Sequence, residues 1–188
     1  MISFENILNF NRDEGDQVKH YQDDNLDIDA LIADLGAANG RTRRDARALL
    51  IRIGEPAVNA LIEALNSHND LTRWEAAKAL SQIGSPTAAP AMVKALEDDQ
   101  FGVRWLAAEG LIKLDRDGLK PLLEALWQNP DSTRLQEGAH HILHDLLSRE
   151  VFDEHLLVQL KLVFTALNYL DPAVALPATV MSALKVMQ

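Results

Sequence analysis

The chain has 188 residues, 47% hydrophobic and 5% aromatic, with no cysteine, and its 18 basic and 28 acidic residues give a formal charge of −10. That length suits one domain or an elongated array. The missing cysteines exclude a disulfide framework, a thiolate zinc site and a thiol nucleophile, and the negative balance argues against non-specific nucleic-acid binding, which needs Lys and Arg to neutralise phosphates.

Residues 1–25 read as an acidic leader. Up to residue 29 the chain holds eight acids (Glu5, Asp13, Glu14, Asp16, Asp23, Asp24, Asp27 and Asp29) against Arg12 and Lys19, a net of −6, so the rest carries only −4. Ile2, Phe4, Ile7 and Leu8 suit an N-terminal capping helix followed by an acidic linker, and a wholly disordered leader is the other reading. Early acids oppose the basic start of a secretory signal. The longest apolar stretch, Leu156 to Leu167, is broken by Gln159 and Lys161 and is too short for a bilayer core of about 30 Å. The expectation is a cytoplasmic protein with no membrane contact.

From residue 26 to 147 the sequence repeats itself. Ala30-Leu31-Ile32-Ala33-Asp34-Leu35 recurs as Ala60-Leu61-Ile62-Glu63-Ala64-Leu65, as Ala91-Met92-Val93-Lys94-Ala95-Leu96 and as Pro121-Leu122-Leu123-Glu124-Ala125-Leu126, in steps of 30, 31 and 30. Arg43, Arg73, Arg104 and Arg134 keep the same steps. The first three of these are followed by Ala46, Ala76 and Ala107, by Leu50, Leu80 and Leu111, and by Ile53, Ile83 and Leu114. Offsets of 0, 3, 7 and 10 mark one face of a helix, and a fixed period of this size marks a solenoid. Gly54-Glu55-Pro56 and Gly84-Ser85-Pro86 separate successive units, each Gly suited to a helix C-terminus and each Pro to the first turn of the next helix. Polar turns divide each unit: Asn39-Gly40, Ser67 to Asp70, Asp98 to Gln100 and Asn129 to Asp131. The predicted helix pairs are 27–36 and 41–53, 57–66 and 71–83, 87–97 and 101–114, 118–128 and 132–147. In the fourth unit His141 and His144 fall where Leu and Ile stood before, which predicts a rotation or a one-residue register shift.

Residues 148–188 are expected to form a C-terminal helical cap, since a stack must hide its last apolar face. Val151 to Leu170 reads as one amphipathic helix with apolar positions 152, 156, 160, 163, 164 and 167. A last helix follows Pro177, carrying Val180, Met181, Leu184 and Met187.

The repeats resemble HEAT repeats, especially the short bacterial kind found in phycobilisome lyases. The stretches Arg73-Trp74-Glu75-Ala76-Ala77-Lys78-Ala79-Leu80-Ser81-Gln82-Ile83-Gly84 and Val103-Arg104-Trp105-Leu106-Ala107-Ala108-Glu109-Gly110-Leu111 carry the likeness. It implies an all-α, right-handed α-solenoid of about four helix pairs with N- and C-terminal capping helices, the second helix of each pair lining the concave side. It implies no single activity, because scaffolds, lyases, hydroxylases and DNA-repair enzymes share such stacks.

Several residues are candidates for function. The repeated arginines suggest phosphate binding, but the resemblance favours a structural ladder in which each bonds neighbouring loops; Asn69, Asp70, Asp99 and Asp131 lie close by for that purpose. Arg41, Arg43, Arg44, Arg47 and Arg52 could dock an anionic partner, form a solvated face, or attract the chain's own acidic leader. Trp74 and Trp105 share one repeat position, one residue after the repeated Arg. Along the helix that position groups with Lys78 and Ser81 in one unit and with Glu109 and Ile112 in the next. By resemblance, Arg44, Trp74, Trp105 and Leu135 form a stripe along the groove; the alternative is that both Trp wedge between repeats as packing. His140 and His144, four residues apart, could offer two metal ligands from one helix face, but no third ligand is evident and no His-Glu dyad of the iron-binding hydroxylases is present. No phosphate loop, dinucleotide fingerprint or nucleophile elbow occurs.

These features predict a non-catalytic interaction scaffold, without cofactor or metal, that grips a protein in its concave groove through Arg44, Trp74, Lys78, Trp105, Glu109 and Leu135. The resemblance implies an alternative, a phycobilisome lyase-like or degradation factor acting on bilin or phycobiliprotein.

Overall fold

The computed structural model describes residues 27–149, 152–169 and 172–188; the leader expected at 1–25 lies outside them. The described residues form α-helices and short 3-10 turns with no strand. Four helix pairs come first: α1 (Ile28–Asp34) with α2 (Gly40–Ile53), α3 (Val58–Ala64) with α4 (Asp70–Ile83), α5 (Ala89–Ala95) with α6 (Phe101–Leu114), and α7 (Arg116–Gln128) with α8 (Thr133–Ser148). Then come α9 (Glu154–Tyr169) and α10 (Pro172–Val186).

Local chemistry sets most helix ends. The Asn39 and Asn69 side chains accept from the backbone N–H groups of Arg41 and Leu71 at 2.8 and 2.9 Å, satisfying donors that the first turn leaves open. Gly54 and Gly84 follow α2 and α4 with φ of 72° and 71°, a region that costs a residue with a Cβ. Each is followed by a 3-10 turn holding Pro56 or Pro86, so α3 and α5 are short. The third junction is built differently. Asp115 takes the positive φ of 53°, and α7 starts at once at Arg116, two residues earlier than expected. A Cβ on Gly118 would lie 2.6 Å from the Leu111 carbonyl oxygen, so only glycine allows α7 to leave α6 so tightly.

Two continuous rows result. In the first row α1 packs on α3 and α5 on α7, with α3 meeting the 3-10 turn that opens α5, and the second helices α2, α4, α6 and α8 stack in order beside them. Leu31, Leu61, Met92 and Leu122 are buried in the first row, and Ala46, Ala76 and Ala107 with Leu50, Leu80 and Leu111 in the second. These are the repeated apolar positions, so one all-α solenoid core runs through the stack.

The fourth pair departs from the expected register. In α8 the buried residues are Leu135, Ala139, Ile142, Leu143 and Leu146, which match in order Val103, Ala107, Gly110, Leu111 and Leu114 of α6. The step from Val103 to Leu135 is 32, whereas the first-helix row still steps by 30, from Met92 to Leu122. The two extra residues are taken up where α7 continues through Trp127 and Gln128. A shift of two residues turns a helix by about 200°, so positions aligned by the arginine period exchange core for surface.

Helix α9 packs on α8, α10 packs on α7, and the two pack on each other. Their buried residues are Leu156, Leu160, Val163 and Ala166 in α9 and Leu176, Val180 and Ala183 in α10. Helix α10 begins at Pro172 and runs through Pro177, rather than starting after Pro177 as expected. Pro172 stands in the first turn, where no N–H is needed. Pro177 costs the bond to the carbonyl of residue 173, but the apolar spacing Leu176, Val180, Ala183 continues across it and is buried along its length.

Candidate partner-binding face

The arginine ladder fixes the frame on which this face is built. Arg43 Nη1 donates to the carbonyls of Ala37 and Ala38 at 2.6 and 2.9 Å, Arg73 Nη1 to that of Ser67 at 2.9 Å, and Arg104 Nη1 to those of Asp98 and Asp99 at 2.8 and 3.1 Å. Each guanidinium thus closes the turn preceding its own helix. Arg73 also reaches the next repeat, where Nε and Nη2 donate to the Asp98 carboxylate at 2.7 and 3.2 Å; that bond raises the Arg73 pKa above its ordinary value. In the fourth repeat the corresponding residue is Gln136, whose side chain donates to the Pro130 carbonyl, again six residues upstream. Arg134, matched by the arginine period, reaches back instead to the Glu97 carbonyl at 2.9 Å and Asp99 Oδ1 at 3.1 Å.

Glu75 belongs to this frame as well. It is 3% exposed, its carboxylate pairs with Arg47, and its Oε1 lies 3.6 Å from Arg43 Nε. Two cations of the Arg-rich first repeat are therefore engaged by the second. Arg41 and Arg44 remain exposed.

The two tryptophans separate. Trp74 is half-buried and packs against the core; a Cβ on Gly102 of the next repeat would lie 2.9 Å from its ring, so the indole rests on the α6 backbone. Its ring also carries cations of this chain, with Lys78 Nζ 4.6 Å and Arg47 Cζ 6.0 Å from the centroid. Trp105 is 46% exposed and its neighbour Phe101 66% exposed, with ring centroids 6.3 Å apart. One side of Trp105 stacks on His141 at 4.7 Å, and His141 Nε2 lies 3.2 Å from Glu109 Oε1. The structure thus joins Trp105, Glu109 and His141 across two repeats.

Leu135 does not share that surface. It is 1% exposed in the α8 core, which corrects its expected place in the stripe. The residue that follows Trp105 along the row is Glu137, which is exposed. A signal for this was present in the sequence: Gln136, Ala139, Leu143 and Leu146 repeat the offsets of 0, 3, 7 and 10, with Gln in place of Arg. The chance occurrence of Arg134 on the arginine period hid it.

His140 and His144 lie on the side of α8 facing α9, with ring centroids 6.4 Å apart, and stack or tilt on Phe164 at 4.9 and 6.3 Å. Among the described residues no group of three or more His, Cys, Asp or Glu side chains is arranged to hold a metal ion. Also among them, no helix is long and apolar enough to cross a membrane.

Residues 28–112 match the model of the HEAT-repeat family. No curated protein matches the chain in sequence. Among solved structures, the chain is similar to the complex of CpcE and CpcF of phycocyanin lyase from Nostoc sp., at 24% identity and a TM-score of 0.47, over 91% of this chain and 71% of that one. It is similar also to an engineered protein, at 19% identity and a TM-score of 0.43, over 85% of this chain and 78% of that one.

Proposed function

We propose, starting from the match of residues 28–112 to the HEAT-repeat model, that the chain is a non-catalytic scaffold holding a protein partner along its row of second helices. The observation that supports this reading is Trp105. A tryptophan 46% exposed beside an exposed Phe101 is costly on a solvated helix and useful at an interface, where buried aromatic anchors carry much of the binding energy. Arg44, Lys78 and Glu109 flank the aromatics along the same row and supply charge complementarity, which steers and selects a partner. Leu135 has no part in it, being core.

Capture of a partner from native extract by Trp105→Ala, Trp74→Ala and the unaltered chain tests the proposal. Trp105→Ala is expected to lose the partner with helicity and melting unchanged. Capture undiminished by Trp105→Ala combined with Phe101→Ala overturns the reading.

A further inference from the structure

We infer that this face recognises a dipolar protein segment, acidic towards α2 and basic towards α8. The inference rests on the scaffold reading above and adds the partner's chemistry. Two equivalent sites within the chain are filled differently. Trp74 and Trp105 hold the same place in α4 and α6, and the residue four further on lies over the same ring side of the helix. After Trp74 that residue is Lys78, whose ammonium sits 4.6 Å from the ring centroid, so this indole already has its cation. After Trp105 it is Glu109, whose carboxylate holds the His141 ring that is stacked on one side of the indole, and the next residue along the row is the exposed Glu137. The open side of an exposed indole, on a row that also carries two carboxylates, suits a Lys or Arg supplied by a partner, through cation–π attraction and ion pairing together.

The other end of the row has the opposite sign. Arg44 is exposed at the position equivalent to Trp74, and Lys78 follows it in the next helix, so carboxylates of a partner are favoured there. Helices in contact are about 8–10 Å apart, which places the two ends roughly 30 Å apart over the three steps from α2 to α8. A protein segment with separated acidic and basic blocks meets both ends at once, whereas a uniformly charged one is repelled at one of them.

Two fluorescent peptides of about 12 residues, long enough to span this distance when extended, test the inference on the full chain at low salt. One carries an Asp/Glu block and a Lys/Arg block separated by Gly and Ser; the other has the same composition with alternating charges. The block peptide is expected to bind about tenfold more tightly. The paired change Glu109→Gln and Glu137→Gln is expected to remove that advantage, as is the pair Arg44→Gln and Lys78→Gln. Equal affinity of the peptides, no binding by either, or an advantage that survives the Glu→Gln pair overturns the inference. So does a dimeric mass in sedimentation that falls to a monomer with the same Glu→Gln pair, because a second copy would then occupy the row. A captured partner released by Trp105→Ala but kept by the Glu→Gln pair leaves the scaffold reading standing and removes this one alone.

Discussion

Glu75 and the two tryptophans show how residues of similar sequence context take different work. Glu75 lies among Ala76, Ala77 and Lys78, and nothing in its own helix marks it as buried; the structure pairs it with Arg47 and places it beside Arg43 of the preceding repeat. Because removing one partner of a buried pair leaves the other charge unsatisfied, Glu75→Ala is expected to lower stability by about 3 kcal/mol, read from denaturant unfolding. Trp74 and Trp105 are equivalent by spacing, but Trp74 packs against the core while Trp105 stays exposed. Trp74→Ala leaves a gap over Gly102 and is expected to cost about 2 kcal/mol, below the range for a fully buried Trp. Trp105→Ala, at an exposed site, is expected to stay within about 0.5 kcal/mol of the unaltered chain in the same measurement.

At the scale of helices, caps and prolines decide where elements begin and end. Asn39 and Asn69 cap α2 and α4, but the same repeat position before α6 holds Gln100, whose longer side chain makes no capping bond and instead donates to Asp70 at 3.1 Å. Gln100→Asn is therefore expected to stabilise the chain by about 1 kcal/mol, seen as a higher melting temperature. The helix pairs of the first three repeats were legible because Gly-x-Pro breaks and polar turns coincide with the apolar period. The start of α7 and the passage of α10 through Pro177 were not, because local signals there point one way and burial points the other. The register of α8 was legible in principle from Gln136, Ala139, Leu143 and Leu146, but a period read on arginines alone favoured Arg134.

For the molecule as a whole, stability is shared between neighbours in the stack, so its ends matter. Ending the chain at Arg149 removes α9 and α10, which cover α8 and α7, and exposes their apolar sides. Loss of a cooperative melting transition and association in size-exclusion chromatography are the expected outcomes. The net charge has a similar division. The leader's acids lie outside the described residues, while Arg41 and Arg44 remain exposed on the first repeat; deleting residues 1–24 is expected to strengthen binding of anionic partners at low salt, measured by titration with an acidic peptide, because opposite charges nearby compete for the same cations. By itself the sequence determined the helical class, the paired repeats and the repeated core positions of the first three units, since each follows from a period set by helix geometry and turn chemistry. The tertiary structure chose between the two registers the sequence allowed for α8, making Leu135 core and placing Glu137 after Trp105, and it alone decided that Glu75 is buried and that one tryptophan packs while the other is exposed. The first two depend on the rotation of α8, which the two residues added at the end of α7 change, and the last two on groups that a neighbouring repeat supplies, Arg47 to Glu75 and the Gly102 backbone to Trp74.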